Sequence, residues 1–432
     1  MKYKSFLLFI AYLLSGDLIS AQNPVVKDIG MSDPHVRIFN DTIYLYSGHD
    51  FSPDDKTWIM KDWRVFSSTD LVNWTHSSTI SPKDNYMNDN STDCWASDAA
   101  TRNGKYYFYF SDRKRGIGVM SSNSPKGKYT DALGKPLVSP MHDPTIIIDD
   151  DKKKTPYIVY GDKSGGGFHI ARLSESMISL AEKPKPIIIN GKEWENAPHW
   201  MDKNYIFKRN KKFYLSWGRE YAISDSIYGP YTCVGAVGHG HNLDEFAHGS
   251  FFKWKGQFYH IWCYYIKQGF KYRESIITYC HFDDEGKIVT DTRFLDYHFS
   301  NGVGQYNASW DKIEAEWYYE ISSEIKKRGN REEGFVITNI QNGDWIRFAN
   351  VTFGKEFKKC VLKAMMIGKK GSLEIRSVSP TGAAMGRFEL SPSESLQQIE
   401  KSIKSFKGKT DIYLVFKGAK GSYLQIDWIK FK

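Results

Sequence analysis

Cysteine is scarce. The 432 residues hold five, Cys94, Cys233, Cys263, Cys280 and Cys360. That odd number, with no metal-like pairing, argues against a disulfide framework. Cys263 and Cys280 lie inside strand-like runs and read as buried thiols. Long apolar runs are missing as well. Phe6 to Leu14 is too short to span a bilayer. Preceded by two lysines and followed by small residues, it reads as part of a secretory signal over residues 1–21. No cysteine stands at the cut, so lipid attachment is not supported, and the mature chain is expected to be exported. No later segment approaches a membrane span. The net charge of +9 comes from scattered lysines without a basic stripe, so no nucleic-acid partner is expected. Nothing calls for a second copy, and a monomer is the expectation.

Aromatic residues are abundant instead: 13 Trp, 27 Tyr and 26 Phe are enough for large cores, and the length suggests more than one domain. They fall in a repeated plan. In MSDPHVRIFNDTIYLYSGHD, residues 31–50, Asp33 opens a short apolar run, Asn40-Asp41 makes a turn, and an aromatic-rich run follows. Hairpins of the same kind follow Asp98, with Asn103-Gly104 as turn, Asp143, Glu195 and His248, the last turning at Lys255-Gly256. These openers recur roughly every 50 residues, the spacing of β-propeller blades, and five copies imply five blades. The first strand of each blade lines the channel, so the openers should meet at one mouth. A single Asp before Pro is ordinarily a turn-former. Its recurrence at Asp33 and Asp143, with acids opening two other copies, favours a converged site.

The ordered series Asp33-Pro34-His35-Val36-Arg37, Val65 to Trp74, Trp95-Ala96-Ser97-Asp98, His142-Asp143-Pro144-Thr145 and His248-Gly249-Ser250 resembles glycoside hydrolase family 43. The likeness runs from about residue 28 to about residue 300. It implies a five-bladed propeller and an inverting glycosidase. By that resemblance Asp33 is the general base, Asp143 the carboxylate that tunes the acid, and Glu195 the general acid, with Glu193 as its competitor. His248 corresponds to the channel histidine that in many members holds a hydrated calcium or an ordered water. Inversion needs one protonated and one ionised carboxyl, about 6.5–9.5 Å apart. A neighbouring like charge such as Asp143 keeps the acid protonated.

Candidate sugar contacts are Trp95, close ahead of the second opener; Asp98 itself; Trp63, in a loop with Trp58 and Met60; and His199, followed by Trp200. Arg273 matches a substrate-facing arginine of the family, the alternative being a surface salt bridge with Glu274. The periodic opener disappears after about residue 305, giving a propeller over 22–305. Residues 306–432 read as a β-sandwich of jelly-roll type. Ile313-Glu314-Ala315-Glu316, Trp345-Ile346-Arg347-Phe348 and Tyr423 to Ile429 resemble a family 6 carbohydrate-binding module. That resemblance implies a structural calcium held by Glu314, Glu316 and Asp427, hard oxygen ligands suited to the ion. No convincing aromatic pair marks its sugar cleft.

The reading is an exported exo-glycosidase of plant polysaccharide side chains, needing no cofactor for its chemistry. α-L-Arabinofuranosidase comes first, with β-xylosidase or β-galactofuranosidase on the same scaffold as alternatives. A non-catalytic glycan-binding propeller is the reading from another class, and the joint presence of Asp33, Asp143 and Glu195 argues against it. A retaining fructan-active enzyme would need its two carboxyls only about 5–5.5 Å apart.

Overall fold

The computed structural model describes residues 23–112, 114–162, 167–196, 202–238 and 248–432, together with the backbone of 19–20. The signal-like stretch therefore lies almost entirely outside the described residues. Ile19 and Ser20 pair with Trp74 and Asn73 at an outer edge of the first blade.

Five sheets form the blades of a propeller, antiparallel except where the short strand Ile189–Asn190 joins the fourth in parallel. Their inner strands are Met31–Phe39, Cys94–Arg102, His142–Ile148, Asn204–Arg209 and Gly249–Trp254. The hairpins that follow these strands are tight because their turns are chemically suited. Asn40-Asp41, Asn103-Gly104, Asn210-Lys211 and Lys255-Gly256 all take positive φ at both central residues. Such turns match the right-handed twist of the paired strands. The third blade uses a longer turn, closed by Asp149 N–H donating to Thr155 O.

Among the described residues no strand is exchanged between the last and first blades. The segment ahead of Met31 lies along the fifth blade, where Val25 N–H donates to Ser275 O and Asn23 exchanges two hydrogen bonds with the backbone of Ile277. Gly30 N–H donates to Glu274 Oε1, and Arg273 reaches across to the first blade. The ring is thus closed by side chains and a backbone strap.

The last propeller strand ends at Thr290; a short helix, Thr292–His298, leads to Tyr306, where a sandwich of two six-stranded sheets begins. Alternating residues such as Phe348, Ile375, Leu414, Phe416, Ile426 and Ile429 fill the space between the sheets. This is the period-two burial of strands with one face inward.

Candidate active site

The inner strands of the first and third blades begin with the same irregularity. In the first, pairing with the second strand skips from Ser32–Gly48 to His35–Tyr46; in the third, from His142–Gly161 to Thr145–Val159. Asp33 and Asp143 lie in these bulges with φ of 49° and 53°. Left-handed backbone costs a residue with a Cβ about 1 kcal/mol, and aspartate tolerates it better than most. The bulge re-aims both side chains away from the strand ladder and into the channel.

Both carboxylates face His248, whose Nδ1 lies 3.5 Å from Asp33 Oδ1 and 3.8 Å from Asp143 Oδ2. Asp143 Oδ2 also accepts from Lys203 N–H at 2.7 Å. Arg273 donates to Asp33 Oδ1 at 2.8 Å. Burial alone would raise the Asp33 pKa, but Arg273 and then His248 overcome it and hold the carboxyl well below the usual range. Asp33 is therefore ionised across the physiological range, as a base must be. Burial would likewise discharge His248, yet Asp33 and Asp143 raise its pKa. Its other nitrogen lies 3.0 Å from His35 Nε2. Burial holds His35 neutral, so His248 donates and His35 accepts.

Beneath His35 the channel is closed. Asp98, fully buried, is gripped by Arg37 through both oxygens and also accepts from Ala99 N–H and Ile146 N–H. On the far side lies a separate cavity of about 430 Å³, lined by the outer halves of the same inner strands. This corrects the sequence assignment of Asp98 to sugar binding: it forms the channel floor.

Trp63 is also corrected. It is wholly buried, packs on Phe108 and Phe110, and its indole N–H donates to Trp95 O. Trp63 supports Trp95 instead of meeting a sugar. Trp95 and Trp58 remain half-buried at the rim, their rings 6.4 Å apart, and Trp95 meets His142 edge-on.

Arg273 is neither on the surface nor paired with Glu274. It is buried, with Nε and one terminal nitrogen on Asp50 at 2.9 Å each and the other on Asp33. That placement rules out the surface salt bridge with Glu274 and makes Arg273 a positioning residue for Asp33. Asp50 escaped the sequence reading, because its partner lies far away in the chain. Glu193 and Glu195 are exposed on a 3-10 turn, Lys192–Asn196. His199 and Trp200 lie outside the described residues.

At the channel, His248 faces two carboxylates through Nδ1 and His35 through Nε2. In the sandwich, Glu314 pairs with Arg293 and Lys312, and Asp427 pairs with Lys363 at 2.7 Å. Glu316 is buried, and burial together with Glu314 lifts its carboxyl well above the ordinary range. Among the described residues no three His, Cys, Asp or Glu side chains gather as metal ligands. Of the triad inferred for Glu314, Glu316 and Asp427, the first and last are thus engaged by cationic side chains, and Glu316 is buried without an ion pair.

Comparison with known proteins agrees with this architecture. Residues 21–222 match the family of glycosyl hydrolases family 43, and residues 313–432 match the carbohydrate binding module of family 6. An arabinoxylan arabinofuranohydrolase of Paenibacillus polymyxa is 26% identical over 95% of this chain and 74% of its own length. A xylosidase/arabinosidase of Humicola insolens is 27% identical over 62% of this chain and 98% of its own. The crystal structure of a family 43 arabinoxylan arabinofuranohydrolase from Bacillus subtilis, in complex with cellotetraose, has the same fold. Its TM-score is 0.55 at 22% identity, covering 95% of this chain and 97% of that one.

Proposed function

From a chain that joins a family 43 glycosyl hydrolase domain to a family 6 carbohydrate-binding module, we infer an inverting exo-glycosidase. Its substrate is the terminal α-L-arabinofuranosyl group of a plant polysaccharide such as arabinoxylan. The observation that carries this reading is the meeting of Asp33 and Asp143 at His248, at the mouth of a channel closed by Arg37 and Asp98. A dead end accepts a terminal sugar and leaves no exit for a continuing chain.

Asp33, ionised beside Arg273, takes a proton from a water molecule as that water's oxygen attacks the anomeric carbon. The bond to the leaving oxygen breaks on the opposite face, and a protonated carboxyl there supplies the leaving group's proton. In the sequence reading that acid is Glu195, from the segment entering the fourth blade. Asp143, beside Asp33 at His248, orients the sugar and opposes ionisation of the acid. Each proton transfer is worth about 10²–10⁴ in rate. Attack and departure from opposite faces give one inversion. A substrate outside the cell agrees with residues 1–21 acting as an export signal.

Aryl α-L-arabinofuranosides, β-D-xylosides and β-D-galactofuranosides, assayed side by side with proton NMR of the first-formed anomer, test the reading. Turnover of the arabinofuranoside with inversion is expected. First release of the retained anomer would sink the mechanism, and preference for the xyloside would replace the substrate.

A further inference from the structure

The register of the fourth blade does not place Glu195 at the position that Asp33 and Asp143 occupy. Lys203 stands as far ahead of its hairpin turn, Asn210-Lys211, as Asp33 stands ahead of Asn40-Asp41 and His248 ahead of Lys255-Gly256. Lys203 also has the left-handed backbone of Asp33 and Asp143, with φ of 62°. Its N–H holds Asp143 Oδ2. The fourth member of the ring is therefore the pair Asp202-Lys203, at the strand entrance, and Glu195 lies farther back on an exposed turn.

Asp202 has the surroundings expected of a proton donor. Its Oδ1 is shut off from solvent and makes no hydrogen bond. An ionised carboxylate left in that state costs several kcal/mol, whereas a protonated one is tolerated. The charged groups facing it are Lys203 on its own segment, Asp143 and His142 on the third blade's inner strand, and His248 at the entrance of the fifth. Burial raises its carboxyl pKa, Lys203 opposes, and Asp143 raises it further, for a net upward shift. Asp33 is shifted the opposite way. Two carboxyls driven apart in one site is the pattern of an acid and its base.

We propose that Asp202, and not Glu195, is the carboxylic acid that protonates the leaving oxygen. The assignment rests on the glycosidase reading above and deepens it. The Asp202 O–H gives its proton to the glycosidic oxygen, which keeps the electron pair of the breaking C–O bond. Water supplies the new C–O bond and its proton goes to Asp33. Asp202 is left as a carboxylate and is reprotonated from solvent.

The test uses the full chain with α-L-arabinofuranosides whose leaving groups range from dinitrophenol, which needs no proton, to a sugar alcohol, which does. For Asp202→Asn, kcat/KM on the poor leaving group should fall about 100-fold or more. On the dinitrophenyl substrate it should stay within about tenfold of wild type, with Tm unchanged. The basic limb of the pH profile should disappear in Asp202→Asn and return in Asp202→Glu. An equal loss on both substrates, or none on either, overturns the assignment. So does finding the leaving-group signature in Glu195→Gln. A wild-type chain silent on every glycoside of the panel overturns the enzymatic reading itself, and this assignment with it.

Discussion

The molecule buries charge in two places, and it treats them differently. At the junction of propeller and sandwich, a chain of side chains answers one another, although Glu316 Oε2 is buried without a partner. Lys327 donates to Gln257 Oε1 and to His281 Nδ1, at 2.5 and 2.7 Å. The other nitrogen of His281 donates to Asp291, which also accepts from the Trp317 indole and from Phe294 N–H. Gln257 donates to the carbonyls of Glu316 and Tyr318. At the channel mouth, by contrast, Asp33, Asp143 and Lys203 hold left-handed backbone, and Asp202 keeps an unanswered oxygen. A closed polar network locks two domains together. An incomplete one, held by strain, retains capacity to bind and to move protons.

Asp33→Asn tests the mouth most severely. The amide is isosteric, and Arg273 keeps Asp50, so the fold should survive with Tm little changed. Loss of the base should lower kcat by about 10²–10⁴-fold, measured on the best aryl substrate. A variant with nearly wild-type turnover would reduce the mouth to a structural cluster like the junction.

Arg273→Met should cost stability as well as rate. It leaves Asp50 buried without its cation, and breaking a buried pair costs about 3–5 kcal/mol, read from denaturant unfolding. The sign of the pH effect follows from Asp33, whose folded pKa is lowered by Arg273. A depressed carboxylate adds stability above its unfolded pKa that is lost as pH falls through the folded one. Without Arg273 the Asp33 pKa rises, so acid unfolding and the acidic limb of the rate profile should both move to higher pH. An unmoved limb would show that Arg273 does not set the base.

Lys327→Met is the matching probe of the junction. It removes the donor to Gln257 and His281 and should cost about 1–3 kcal/mol, with kcat and KM unchanged. A large change in kcat would mean that the two polar clusters are coupled and that their contrast is false.

Much of this arrangement is legible from the chain alone. Asn103-Gly104 and Lys255-Gly256 mark hairpins because backbone with positive φ needs such residues, and Asp-Pro marks the bulges that aim Asp33 and Asp143. Four features are not legible, for physical reasons. The fourth opener is displaced because openers sought by acidity lead to Glu195, whereas register counted back from the turn leads to Asp202-Lys203. The partnership of Asp50 with Arg273 joins opposite ends of the propeller and leaves no local pattern. The carboxylates of Glu314 and Asp427 meet Arg293 and Lys363 as well as the nearby Lys312, and no spacing connects the first two to them. Trp63 and Trp95 look alike in sequence. Strand alternation, with Trp63 and Val65 both fully buried, separates the packed ring from the one at the rim.

That last pair supports the mildest test. Trp95→Ala removes a half-buried ring beside His142 while keeping the carbonyl that receives the Trp63 indole N–H. If Trp95 is a sugar platform, the loss is that of one aromatic face packed on a sugar, about 1 kcal/mol. KM should then rise about fivefold on arabinoxylan oligosaccharides with kcat nearly constant, the mark of binding shared by ground and transition states. The opposite pattern, a fall in Tm with KM unchanged, would move Trp95 into the packing class of Trp63 and shift the sugar-contacting rim to Trp58.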